Sequence, residues 1–296
     1  MPNTILVTGA SGSLGGAVIR HLIDTEGVAP GRIIAVTRDP SKLDALAAEG
    51  VAVRGGDFDD EASLSAAFAG AGTVLVVSTD TFGVPGKRLR QHLAAVSAAT
   101  RARASRIAYT SMFDPSPDNP VLFAPDHAGT EEAIRASGIP YSIFRNGWYQ
   151  ENLAMSLPTA IGMGKWFTSA GDGRTSYVRR DDLARAIAAG LARAPEGNAT
   201  YTLSGAEALT NAEIAAMVSE VTGKPIAVVN LTDEQLADGM KAAGVPAQAV
   251  PLLVSFEAAT RSGILGTVTG DVEALSGRKP TPLRAWLEEN KASLGG

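Results

Sequence analysis

Cysteine is absent from this sequence, histidine occurs three times, and aromatic residues make up 5% of it. Without thiols there is no disulfide framework and no thiolate chemistry. His21 and His92 are expected on outer helices, and with so few neighbours of ligand type no metal site is expected. Basic residues do not dominate: 26 lysines and arginines face 31 acids, a formal charge of -5. That balance excludes a broad basic surface for nucleic acid. No apolar run approaches the length needed to cross a bilayer. The chain enters a strand directly rather than through a charged region and an apolar targeting segment, so a cytoplasmic location and no membrane partner are expected.

What is present is a chain of 296 residues, nearly half hydrophobic, long enough for one large or two unequal domains. Short Val/Ile-rich runs alternate with amphipathic stretches, the pattern of a parallel sheet built from strand-helix-strand units. Strands are expected near Thr4 to Thr8, Arg32 to Thr37, Ala52 to Arg54, Thr73 to Val77, Arg106 to Thr110 and Tyr141 to Arg145. That is enough for a doubly wound α/β sheet within residues 1–150, completed by a strand near residues 199–203. After Arg145 the alternation stops. "GMGKWFTSAGDGRTSYV" reads as loop or hairpin, a helix follows from Asp181 to Arg193, and residues 151–296 read as a smaller, mainly helical substrate lobe. A cleft between the carboxyl edge of the sheet and this lobe is the expected binding site.

"ILVTGASGSLGGAVIRHL" places Gly9, Gly12 and Gly15 where the first strand becomes a helix. Gly9 permits a tight turn, Gly12 the close approach of a pyrophosphate, and Gly15 the packing of helix on strand, while the helix amides and dipole favour a negative group. The second strand ends "VTRDP", with Arg38 where a 2'-phosphate would sit and Lys42 one turn later, so NADPH is expected over NADH. Asp39 reads as a helix cap, with Pro40 at the first helical position. Asp57 can accept from an adenine amino group and Phe58 can flank the ring, although "DDEA" is also a good helix start. Val77, Ser78 and Thr79 emerge at the carboxyl edge, as cofactor contacts or as loop caps.

"AYTSM", "IPYSIFRNGWYQEN" and "SAGDGRTSYVRRDDLA", together with "TGASGSLGG", "VTRDPSK" and "GDFDD", resemble the NmrA-like branch of the atypical short-chain dehydrogenases/reductases, and within it the quinone-reducing and triphenylmethane-dye-reducing members. The resemblance covers almost the whole chain. It implies an NADPH-binding Rossmann domain with a smaller C-terminal lobe. It also implies cofactor contacts from Gly9, Ser11, Gly12, Ser13, Leu14, Arg38, Val77, Ser78 and Thr79. Arg145, Asn146, Gly147, Trp148, Tyr149 and Gln150 would lie near the nicotinamide end, and Arg180 would face the same site. Gln150 departs from the small hydroxyl residue of that pattern.

Classical short-chain dehydrogenases use a tyrosine acid and a lysine four residues later. The fifth helix, "LFAPDHAGTEEAI", has neither, and Tyr109 is followed by "TSM". Reduction of a quinone needs mainly stacking, orientation and stabilisation of a hydroquinone anion. The expected activity is therefore NADPH-dependent hydride transfer to quinones or similar flat, electron-poor acceptors. His127 is the one proton-donor candidate, and Trp148 a candidate for stacking on the acceptor, the alternatives being a surface histidine and a core tryptophan. The competing class is an NADP(H)-binding redox sensor acting through a protein partner. A homodimer through outer helices is compatible with the fold, and no residue fixes its interface.

Overall fold

The computed structural model describes residues 4–295. In chain order the elements are β1 (Ile5–Val7), α1 (Ser13–Asp24), β2 (Ile33–Thr37), α2 (Asp44–Ala48), β3 (Ala52–Gly55), α3 (Glu61–Phe68), β4 (Thr73–Val76), α4 (Lys87–Arg101), β5 (Arg106–Met112), α5 (Ala124–Ala136) and β6 (Tyr141–Asn146). There follow α6 (Leu157–Met163), β7 (Lys165–Thr168), β8 (Arg174–Thr175), α7 (Arg180–Ala192), β9 (Ala199–Leu203), β10 (Leu209–Thr210), α8 (Asn211–Thr222), β11 (Ala227–Asn230), α9 (Asp233–Ala242), α10 (Val250–Arg261), α11 (Asp271–Ser276) and α12 (Leu283–Asn290).

Seven strands form one sheet in the order β3-β2-β1-β4-β5-β6-β9, and the five pairings from β3 to β6 are parallel. The order reverses between β1 and β4, which is where a doubly wound sheet opens a crevice at its carboxyl edge. Ile5, Leu6, Val7 and all of β2 are buried, as strands covered on both faces must be. Leu6, Val36, Val74, Val76, Ile107 and Tyr109 pack with Phe68, Ala95, Ala99 and Ile134 from the helices. Small alanines on α4 let the helix sit close to the strands. β5 runs two residues beyond the expected Thr110, because Ser111 and Met112 continue the register opposite Arg145 and Asn146.

The chain forms two compact units, each discontinuous in sequence. The first holds residues up to Met112, Pro125–Asn146 and Leu183–Tyr201, and the second Phe113–Ala124, Gly147–Asp182 and Thr202 onward. The single boundary expected at residue 150 is thus replaced by several crossings. α7 explains one of them: Leu183, Ala184, Ala186, Ile187, Ala188, Ala189, Gly190 and Leu191 are all buried, an apolar surface that only a packed core can cover.

The second unit is mainly helical, as expected, with a core of Leu157, Trp166, Ile214, Val218, Trp286 and Leu287. Two of its helices start where capping chemistry dictates. Thr210 with Glu213 and Thr232 with Gln235 make reciprocal capping boxes at α8 and α9. Of the loop or hairpin expected after Met163, no hairpin forms between β7 and β8. β7 pairs with β11 and β8 with β10, so each strand finds its partner far along the chain.

Candidate cofactor site

Gly9 has φ of +60°, a conformation that costs glycine nothing. Its carbonyl accepts the Gly12 amide at 2.9 Å, which closes the turn into α1. A Cβ on Gly15 would lie 2.3 Å from the Gly9 carbonyl oxygen and 2.8 Å from its carbon, so the start of α1 can press against the end of β1 only with glycine there. No side chain caps α1. Its first-turn amides, which have no intrahelical partner, thus have no capping side chain either, and Ser13, Leu14 and Gly15 line a cavity of about 430 Å³. Gly9, Ser11, Gly12, Arg38, Asp57, Phe58, Val77, Ser78 and Thr79 line the same cavity, so eleven of the expected cofactor residues meet there, counting Ser13 and Leu14.

Arg38 extends from the end of β2 into solvent, and no hydrogen bond or ion pair holds its guanidinium among the described residues. Asp39 does not compete with a phosphate for this guanidinium. Its carboxylate accepts from the Ser41 amide (3.2 Å) and hydroxyl (2.6 Å), the expected cap, and these bonds draw its pKa down. Lys42 lies beside Asp39 at 4.0 Å and is not part of the cavity wall. Ser11 Oγ and Thr37 Oγ1 are 2.8 Å apart and tie the glycine loop to β2.

Beyond β4 the chain leaves the sheet ladder, and three side chains catch its amides in turn. Val77 N–H donates to Thr8 Oγ1 (2.9 Å), Ser78 N–H to Thr110 Oγ1 (2.9 Å) and Thr79 N–H to His92 Nε2 (3.0 Å). This is a fixed wall rather than a loop free to move. His92 lies on α4, a helix flanking the sheet, and is fully buried there because α4 turns Arg88, Gln91 and His92 inward at helical spacing.

The protons of this cluster can be assigned. Thr130 Oγ1 donates to the Asp126 carbonyl (2.6 Å), so it accepts from His92 Nδ1 (2.9 Å) and leaves Nε2 for Thr79. Arg88 can only donate, so His127 Nε2 accepts from it (2.9 Å) and Nδ1 donates to Tyr109 Oη (2.7 Å). Burial, reinforced by the Arg88 charge, pushes the His92 pKa down to about 3 and that of His127 well below the usual range, while burial raises that of Tyr109. His127 is thus a neutral, 2% exposed member of a closed network. Tyr109→Phe should lower stability by about 1–3 kcal/mol, since it strands the His127 Nδ1–H. Urea midpoints measure this, and turnover retained to within about tenfold would separate it from a general acid.

Asp57 accepts the Asp59 amide at 3.0 Å, the turn that precedes the Asp60 cap of α3, and Phe58 both lines the cavity and packs on the core. Gln91, which sequence reasoning missed, also lines the cavity. Its Nε2 donates to Asp59 Oδ2 (3.0 Å), whereas its buried Oε1 has no partner among the described residues. Polar residues on the inward stripe of α4 were the available signal.

The remaining expected residues are not in this cavity wall. Arg145 makes a bidentate pair with buried Glu131 (2.9 and 2.8 Å), which also accepts from Ser111 and Arg135. Asn146 is buried at the end of β6. In the second unit, a Cβ on Gly147 would meet Phe113 Cζ at 2.9 Å and the Leu203 carbonyl at 3.0 Å. Trp148 packs on Phe256 of α10, with ring centroids 4.2 Å apart. Tyr149 lies under the Arg180 guanidinium at 5.1 Å, and Arg180 N–H donates to Glu151, tying the start of α7. Gln150 is buried and donates to the Thr281 carbonyl at 2.8 Å, a strut that a small hydroxyl residue could not make. No group of three or more metal-ligating side chains occurs among the described residues. No helix among them is long and apolar enough to cross a membrane.

The profile of the NmrA-like family matches residues 1–286. Quinone oxidoreductase 2 of Escherichia coli K12 is 35% identical over 279 residues, covering 94% of this chain and 96% of that protein. The crystal structure of the NADPH-dependent E. coli enzyme complexed with NADPH superposes with a TM-score of 0.91 at 34% identity, over 97% of this chain and 99% of that one. Triphenylmethane reductase of Citrobacter sp., complexed with NADP(H), superposes with a TM-score of 0.89 at 33% identity, over 97% and 100%. An NAD(P)H azoreductase of Xenophilus azovorans is 28% identical over 288 residues, 97% of each chain. Glycine loop, strand order and these likenesses agree, and the chain belongs to the NmrA-like family.

Proposed function

We propose that the chain is an NADPH-dependent oxidoreductase that passes hydride to quinones or similar flat, electron-poor acceptors. The observation that carries the cofactor half is the cavity itself. It joins an uncapped helix start, a glycine that only a close backbone approach requires, and an arginine with no protein partner among the described residues. The relatives carry the acceptor half, since their names describe reduction of quinones, azo compounds and triphenylmethane dyes.

Bound NADPH supplies the hydride. Arg38 would hold the 2'-phosphate, and the amides at the start of α1 would hold the pyrophosphate. Asp57 and Phe58 would flank the adenine, and the wall from Val77 to Thr79, fixed by Thr8, Thr110 and His92, would keep the ribose in place. α5 presents neither tyrosine nor lysine, and its histidine is held neutral with both ring nitrogens engaged. The protein therefore positions rather than acidifies, and water protonates the hydroquinone anion, a weak base next to an alkoxide.

The test is NADPH consumption with a benzoquinone and a naphthoquinone against a protein-free blank, with NADPH binding titrated in the same preparation. Saturable, protein-dependent turnover is the expected result. Tight binding without turnover on either acceptor would replace this reading with a cofactor-occupancy sensor.

A further inference from the structure

We propose that His92 is a positioning residue of the cofactor cavity: by taking the Thr79 amide it turns the Ser78 carbonyl oxygen toward the cavity, where that oxygen accepts a hydrogen bond from a ribose hydroxyl of the bound dinucleotide. The assignment rests on the cavity being a dinucleotide site. Thr79 N–H donates to His92 Nε2 at 3.0 Å, and His92 is fully buried. The peptide between Ser78 and Thr79 is trans, so its C=O and N–H point in opposite directions. Since the amide points at a buried ring, the carbonyl points out of the core. Ser78 and Thr79 are half-buried and line the cavity, and no donor among the described residues reaches the Ser78 carbonyl.

The ring is held for this task from its other edge. Thr130 Oγ1 gives its proton to the Asp126 carbonyl (2.6 Å) and accepts from His92 Nδ1 (2.9 Å), which leaves Nε2 with a lone pair and no proton. Burial keeps the imidazole neutral. The neighbouring peptide is set in the same way: β4 lies between β1 and β5, and Ser78 N–H donates to Thr110 Oγ1 on β5 (2.9 Å), so the Val77 carbonyl turns toward β1 and its glycine loop. Thr8 takes the Val77 amide. With three successive amides consumed behind it, the wall offers acceptors, which suit hydroxyls and repel phosphate. Arg38 and the start of α1 serve the phosphates instead.

The experiment measures dissociation constants, by nucleotide fluorescence, of NADPH and of analogues lacking the 3'-hydroxyl of the adenosine ribose or either hydroxyl of the nicotinamide ribose. In the unaltered protein one of these analogues is expected to bind about 3- to 10-fold more weakly, and which one it is names the ribose at the wall. His92→Asn keeps a donor for Thr130 but has no atom in the place of Nε2, so the penalty should fall to within about twofold there, through weaker binding of NADPH. His92→Gln reaches the Thr79 amide with its side-chain oxygen and should restore the penalty. A purely structural role would weaken all the nucleotides alike and leave the ratios unmoved. Should His92→Asn not fold, Thr130→Val, which removes the anchor of the ring, carries the same expectation. Equal affinities of all the nucleotides in the unaltered protein would overturn the proposal, and so would an undiminished penalty in His92→Asn or Thr130→Val, or a His92→Gln that behaves as His92→Asn does. If NADPH itself does not bind, the reading of the cavity as a dinucleotide site fails together with the proposal. If NADPH and every analogue bind alike, only the role of His92 and Ser78 fails.

Discussion

Replacing Arg38 with alanine should raise the dissociation constant of NADPH by about 10- to 100-fold, the worth of one charge-assisted hydrogen-bonded contact, while that of NADH changes by no more than about twofold. The expectation follows from what surrounds the residue. β2 ends in Thr37, and the acid next in line, Asp39, caps the following turn through Ser41 and makes no ion pair with Arg38. Arg38 stands alone at the cavity wall among the described residues, so a dianionic 2'-phosphate meets a guanidinium that has no other carboxylate to leave. Because the site is exposed, added salt should weaken NADPH binding more than NADH binding, and this difference should vanish in Arg38→Ala. Titration of both nucleotides at two salt concentrations measures the ratio. An unchanged ratio would move the reading of the 2'-phosphate to Lys42 beside Asp39.

Glu131→Ala should destabilise the protein by about 3 kcal/mol, near the low end for breaking a buried pair because both arginines keep part of their hydration. The carboxylate is 1% exposed and accepts from Arg145, Arg135 and Ser111, so its removal leaves the Ser111 hydroxyl buried and two guanidiniums without their charge partner. A melting temperature lower by about 5 °C is the corresponding shift for a chain of this size. Burial by itself would raise the Glu131 pKa, but the hydrogen bonds from Arg145, Ser111 and Arg135 outweigh it and hold the carboxyl below its usual range. A carboxyl depressed in the folded state contributes stability that is fully present above its unfolded pKa of about 4.3 and is lost as pH falls through the lower folded value. Acid unfolding of Glu131→Ala should accordingly be less steep over that window than in the unaltered protein. Equal steepness would assign the acid sensitivity to other carboxylates.

Both cases bear on how the sequence was read. "RNGWYQEN" drew notice because no general feature of the fold demands it, and the resemblance placed it near the cofactor. Several of its residues have structural partners: Arg145 on Glu131, Gly147 against Leu203, Trp148 on Phe256, Tyr149 under Arg180, Gln150 on Thr281, Glu151 on the first amide of α7. These partners lie up to 131 residues away in sequence, and no local pattern announces them. His92 is legible as a helix residue, but only the Thr79 amide and Thr130 hydroxyl explain why it faces inward.

The sequence by itself determined the alternation of strands and helices, the glycine turn, the Asp39 cap and the arginine at the end of β2, because each depends on neighbours within a few residues. Backbone sterics at Gly9, side-chain capping and period-2 or period-3.6 hydrophobicity act over that range. Tertiary structure alone decided that α7 belongs with the first unit, that β7 and β8 pair elsewhere than with each other, and that Gln91, His92 and Glu131 are buried polar groups with assigned partners or an unfilled one. Those outcomes depend on which distant surfaces meet, and a buried polar atom acquires its meaning only from what lies within hydrogen-bonding distance of it.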